Sequence, residues 1–183
     1  MKILRYLVIS IIIVITFTAG GFLYLWMNKG AIPFEIPKIG SDLKIKEVHL
    51  TRAAAGRTEW ELTAKSADYF KEKGVTYLDS PQVVFYGEKG KRMELVGDNG
   101  EIFNDTNDIT VSGNVKITTS DGYLFRADSL RYSSEKKVVT TESKVFIKGK
   151  GLEIEGIGMS ADMERNTALI KRGVKAVLEG NVK

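Results

Sequence analysis

The sequence predicts an all-β fold carried behind one N-terminal transmembrane helix. Three observations predict it. An uncharged apolar run lies near the N-terminus, apolar residues alternate with polar ones through the remainder, and that alternation recurs about every 30 residues.

The apolar run comes first. Leu7 to Met27 is 21 residues without a charge, and about 20 helical residues span a hydrocarbon core of about 30 Å. Lys2 and Arg5 precede it, so the positive-inside rule keeps residues 1–6 in the cytoplasm and sends the rest across. Tyr24 and Trp26 close the run at the level where amphipathic rings prefer the headgroups. Thr18-Ala19-Gly20 resembles the small-residue site of a cleaved signal peptide. The apolar run continues past it through Phe22, Leu23, Tyr24, Leu25 and Trp26, which a cleaved peptide does not need, so an uncleaved anchor over 7–27 is expected. Gly20-Gly21 permits close helix approach, although glycine is common in membrane helices generally. Residues 28–42 contain Pro33 and Pro37 and read as an extended linker that ends the membrane helix.

Residues 43–183 form one domain. Trp60-Glu-Leu62-Thr-Ala64, Met93-Glu-Leu95-Val-Gly97, Tyr123-Leu-Phe125-Arg-Ala127 and Leu152-Glu-Ile154-Glu-Gly156 align as two large apolar residues and a small one at alternate positions. Tyr69, Ile102, Tyr132 and Ala161 follow five residues after the small one. A third element aligns Val75 and Tyr77, Ile109 and Val111, Val138 and Thr140, and Ala168 and Ile170. A fourth aligns Val83 and Phe85, Val115 and Ile117, Val145 and Ile147, and Val174 and Ala176. Ser80-Pro81, Ser112-Gly113, Glu142-Ser143 and Arg172-Gly173 introduce that fourth element. Period two marks strands with one buried face. Turn residues such as Lys73-Gly74, Asn104 to Asp108, Asp121-Gly122 and Lys148 to Gly151 separate short antiparallel strands.

Stacked repeats of this kind place their inward faces in one apolar trough. Trp60, Tyr69, Tyr77, Phe85, Ile117, Phe125, Tyr132 and Ile147 are expected to line it. Any one of them taken alone reads as ordinary core; it is the set together that suggests a groove. The last strand, with Val174, Ala176, Val177 and Leu178, is expected to leave a free edge for another chain.

Composition excludes several other classes. The absence of cysteine excludes disulfides, thiolate metal sites and a cysteine-linked lipid anchor. A lone histidine, His49, cannot form a zinc cluster or a relay, and it reads as a surface or rim residue. Without Lys2, Arg5 and Lys29 the remainder holds 24 basic and 23 acidic residues, a net charge of +1, so no nucleic-acid stripe is expected. Asp98 and Glu101 read as solvated strand ends rather than an acid–base pair. Asn104-Asp-Thr106 reads as a turn. Lys44, Lys46, Arg52 and Arg57 give the N-terminal rim a positive bias that could meet phosphates, but solvated edge cations that oppose aggregation are the better reading. No nucleophile motif or Walker sequence occurs, so no enzyme, metal or cofactor is expected.

The chain resembles the LptC family. The residues that carry the resemblance are Trp60-Glu-Leu62-Thr-Ala64-Lys-Ser-Ala67-Asp-Tyr69, Leu78-Asp-Ser-Pro81-Gln-Val83-Val-Phe85, Gly113-Asn-Val115 and Gly156-Ile-Gly158-Met159, in that order behind the anchor. The resemblance extends from the anchor to about Glu179. It implies an open, twisted β-jellyroll in the periplasm, tethered to the inner membrane, with a repeat shared with the bridge protein LptA. It further implies that the interior takes the acyl chains of lipopolysaccharide. The N-terminal edge would receive them from the LptB/LptF/LptG transporter, and the C-terminal edge would pass them to an LptA-like protein. The alternative is an anchored β-repeat scaffold of the envelope without a lipid ligand. A scaffold should be close-packed throughout, whereas a conduit should keep an open apolar cleft.

Overall fold

A computed structural model describes residues 42–54, 56–87, 90–165 and 167–178. The expected cytoplasmic segment, the anchor and the linker up to residue 41 lie outside the described residues. Eleven strands follow one another: β1 (Leu43–Ala54), β2 (Arg57–Phe70), β3 (Val75–Asp79), β4 (Gln82–Tyr86), β5 (Arg92–Val96), β6 (Asn99–Phe103), β7 (Asp108–Thr119), β8 (Leu124–Ser133), β9 (Val138–Gly149), β10 (Leu152–Asp162) and β11 (Thr167–Leu178). All pairings are antiparallel.

The expected short strands occur only at β3 to β6, which have five residues each. The other seven have 10 to 14 residues. They are long because what looked like breaks between strands are bends within them. In β7 the ladder to β8 is interrupted between Ser112 and Val115, where Gly113 and Asn114 hold φ of 75° and 49°. The ladder of β10 is interrupted around Gly158, at φ 71°, and β11 carries Gly173 at φ 61°. Bulges of this kind bend a strand without ending it. Only Ser80-Pro81 and Gly97-Asp98 break the chain into separate strands. There Ser80 N–H donates to the Asp98 carbonyl at 2.7 Å, and Asn114 Nδ2 donates to the Asp98 carboxylate at 2.7 Å. Asp98 therefore ties two corners together, and it is exposed at a strand end as expected.

Each long strand thus contributes to two walls. Wall A is built from the second halves of β1, β7, β9 and β11, the first halves of β2, β8 and β10, and all of β4 and β5. Wall B is built from the complementary halves, with β3 and β6. The walls meet along the line of bends. Phase changes there: β8 buries Ala127 and then Leu130, three positions apart, and β10 buries Gly156 and Gly158 and then, in the other phase, Met159. A strict period of two would send one half of each strand to solvent. The odd spacing lets both halves face inward.

Burial is deepest along the meeting line. Val115 is 1% exposed and Val145 2%, with Val111, Ala127, Leu130 and Met159 in the same cluster. Leu62, Ala64, Ala67, Leu78 and Ile102 form its continuation toward β1. Both clusters join residues of wall A to residues of wall B, so apolar burial closes the corner. Outward residues pair across strands instead. Lys44 meets Asp68 at 3.2 Å and Arg131 meets Asp108 at 3.4 Å, and Lys148–Glu153 and Lys171–Glu142 also pair. Such exposed pairs are screened by solvent and add little to stability.

Candidate functional site

The inward faces of the two walls are each crossed by one unbroken row of directly paired residues. On wall A the row is Leu50, Leu62, Val83, Leu95, Ile117, Phe125, Ile147, Ile154 and Ala176, one residue from each of nine strands. On wall B it is Leu43, Tyr69, Thr76, Ile102, Ile109, Tyr132, Val139, Ala161 and Ala168. Nine strands spaced by about 4.8 Å make each row about 38 Å long. The rows run perpendicular to the strands, from the β1 edge to the β11 edge.

Leu62 and Ile154 on wall A, and Thr76 and Ile102 on wall B, are buried, but the rest of each row is not closed over as the corner is. Val83, Leu95, Ile117, Phe125 and Ile147 are only half-buried, and so are Tyr69, Ile109, Tyr132 and Val139. Burial therefore falls from the meeting line toward the mouth. Half-exposed apolar side chains that recur along this length form a trough, and an exposed apolar surface of this kind marks an interaction site.

The structure brings seven of the eight expected lining residues onto this surface. Ile117, Phe125 and Ile147 stand on the row of wall A, and Tyr69 and Tyr132 on that of wall B. Trp60 and Phe85 are paired with each other one step nearer the mouth of wall A, in line with Met93, but Trp60 is buried as a member of the core cluster and only Phe85 stays half-buried against it. Tyr77 does not join them. Its register is with Asp68, Glu101, Thr110 and Arg131 on the outer face, where it is 37% exposed and meets Phe70 edge-on at 5.6 Å. The inward residues of β3 are Thr76 and Leu78, both buried. In the same way, Val139 and Thr141 face inward on β9 rather than Val138 and Thr140. A buried threonine at each place masked the true phase. Leu62, Leu95 and Ile154 stand on the wall A row in the alignment column of Phe125, Leu62 and Ile154 buried at its floor and Leu95 half-buried.

The polar groups near the trough are sparse. Burial, with Asp108 and Glu164 as neighbours, pushes the Tyr132 phenol above its ordinary range, so it stays a neutral hydroxyl. His49 lies on the outer side of β1, beside the Thr51 hydroxyl at 3.3 Å. Asn104 to Asn107 form the β6–β7 turn, as expected of that stretch. Among the described residues no group of three histidine or acidic side chains could hold a metal, and no helix is long and apolar enough to cross a membrane.

Both ends of the sheet are edges. β1 pairs only with β2, and β11 only with β10, among the described strands. On β11, Ala176 and Leu178 share the phase of Ile154 and Leu152, whereas Val177 faces outward opposite Glu153. Val174 is 56% exposed and Leu178 60%.

Comparison with known proteins agrees with this architecture. No curated protein matches the sequence. Among solved structures, LptH, described as the LptA-homologous periplasmic component of the conserved lipopolysaccharide transport device of Pseudomonas aeruginosa, has a similar fold. It is 15% identical, with a TM-score of 0.50 over 66% of this chain and 95% of its own. A family model described as "Lipopolysaccharide-assembly, LptC-related" matches residues 11–179. With nearly the whole sequence covered by that match, the chain belongs to the LptC-related family of lipopolysaccharide-assembly proteins.

Proposed function

We propose that this protein is an inner-membrane-anchored periplasmic conduit for lipopolysaccharide, not an enzyme. Family membership supports a role in lipopolysaccharide transport. The observation that carries the finer reading is the pair of largely apolar rows that span the sheet from edge to edge and stay at least partly exposed at seven of nine strands each. Acyl chains cannot cross water uncovered, since each CH₂ buried is worth about 0.8 kcal/mol. Rows of Val, Leu, Ile and Phe of similar size offer nearly equivalent contacts at each strand, so a chain can advance without meeting one deep well. In this reading the LptB/LptF/LptG transporter supplies lipid and energy at the β1 edge. An LptA-like protein accepts the lipid at the β11 edge. The scaffold alternative would leave these half-exposed rows without a purpose.

A photoreactive residue at Phe85, Phe125 or Tyr132 should crosslink to lipopolysaccharide in cells. The same group at Lys116 or Arg126, which pair with each other on the outer face, should not. Equal labelling of both sets would refute the trough. The topology is tested separately: a reporter inserted after residue 42 should work only if it is a periplasmic reporter. Activity of a cytoplasmic one there would overturn the anchor.

A further inference from the structure

The mouth of wall A carries a second kind of chemistry. Moving outward from the corner, the β8–β9 pair presents Ala127 with Val145, both buried, and then Phe125 with Ile147, both half-buried. The next inward position is Tyr123. Its ring lies against Gly149 so closely that a Cβ on that glycine would collide with it. Lys150 places its ammonium 5.1 Å from the centre of the same ring, within range of a cation–π contact. The order toward solvent is aliphatic, aromatic, phenolic and then cationic.

Lys150 also departs from what its turn prefers. It holds φ 47° and is followed by Gly151 at φ 76°, the two-residue hairpin geometry that favours Asn-Gly. A lysine there accepts a backbone conformation that asparagine adopts more readily. Among the described residues it has no carboxylate partner. The two rims also differ in charge. Counting each turn with one flanking residue on either side, wall A has Arg57, Lys91, Arg92 and Lys150 against Asp121, among the described residues. Wall B has five cations against six acids, and Asp108 and Glu164 lie near Tyr132.

We propose that Lys150, held by Tyr123, binds a phosphate of the lipid headgroup while the acyl chains lie on the Phe125–Ile147 rung. This rests on the conduit reading and adds an orientation to it: the anionic headgroup travels along the rim of wall A. Wall B, lacking an excess of positive charge, leaves it unattracted.

The test uses the full-length chain in detergent, with lipopolysaccharide and a chemically dephosphorylated preparation carrying the same acyl chains. Lys150→Asn removes the charge and suits the turn, so its melting temperature should not fall. Its affinity for lipopolysaccharide should drop about three- to five-fold, the scale of one exposed charge interaction. Its affinity for the dephosphorylated lipid should be unchanged. Lys150→Arg should retain binding. Lys137→Asn makes the same change at another left-handed position (φ 54°) on wall B and should have no effect. Inorganic phosphate at matched concentration should not displace the lipid. Equal affinity of Lys150→Asn and the parent for lipopolysaccharide would overturn the headgroup site, as would displacement by free phosphate alone. Failure of the parent to bind either lipid would instead overturn the conduit.

Discussion

Replacing Gly156 with valine is expected to lower the melting temperature of the full-length chain by roughly 10 °C, from a loss of about 3 kcal/mol. Gly156 is buried on wall A opposite Val145. A Cβ there would fall inside the contact distance of Ile170 Cγ2, which belongs to wall B. The same holds at Gly97, where an added Cβ would strike Val111 Cγ1 of wall B. Both glycines lie at the corner, where the walls approach most closely. A branched side chain must push them apart or leave its rotamer. The backbone of Gly156 is not in the left-handed region, so the loss is one of space. That distinction can be measured. Ile170→Ala alone should destabilise by removing buried methyl groups. Combined with Gly156→Val it should recover part of the loss, because the two side chains compete for one volume. Thermal melts followed by circular dichroism decide the matter. Strictly additive losses would show that the corner does not depend on this approach.

The corner also explains what could and could not be seen in the sequence. Period two identified strands, and the repeat put Ala64, Gly97, Ala127 and Gly156 in one column before their role was visible. They are small because they face the opposite wall at closest approach. The five-residue step from each to Tyr69, Ile102, Tyr132 and Ala161 is an odd number. In a straight strand that step would place the two ends on opposite faces. Both do face inward, so the odd step records the bend. Its meaning is hidden because a bend resides in backbone angles and in pairing across strands, which hydrophobicity does not report. Ser112-Gly113 and Arg172-Gly173 look like strand boundaries in sequence for the same reason: they carry turn chemistry but serve as bends in continuous strands. Tyr77 shows the opposite failure. Its large ring fitted the alternation, but Thr76 and Leu78 hold the inward positions. The outer face then gives Tyr77 an apolar partner in Phe70. The Tyr123–Lys150 arrangement was legible only as a turn, because the contact joins β8 to β9 through register.

A proline in the outer strand should have the largest effect on assembly. β11 has no partner on its far side among the described residues, and Val174 to Leu178 include side chains that extend both the inward and the outward face of wall A. An added strand would find free backbone donors and acceptors there, and Ala176 would carry the wall A row onward into the partner. Proline at a position whose N–H points to that partner removes a donor and places a ring where the strand must approach. At the alternate positions it would break the ladder to β10 instead and destabilise the sheet. Scanning Val174, Lys175, Ala176, Val177 and Leu178 therefore separates two classes by melting temperature. Variants that keep the parent's melting temperature should lose capture of an LptA-like protein by at least ten-fold, the effect of losing about 1.4 kcal/mol or more of binding. They should still copurify with the transporter, because the proposed anchor and the β1 edge are untouched. Retained capture in every stable variant would mean that the acceptor docks elsewhere. Loss of both partners together would mean that the two edges do not act independently.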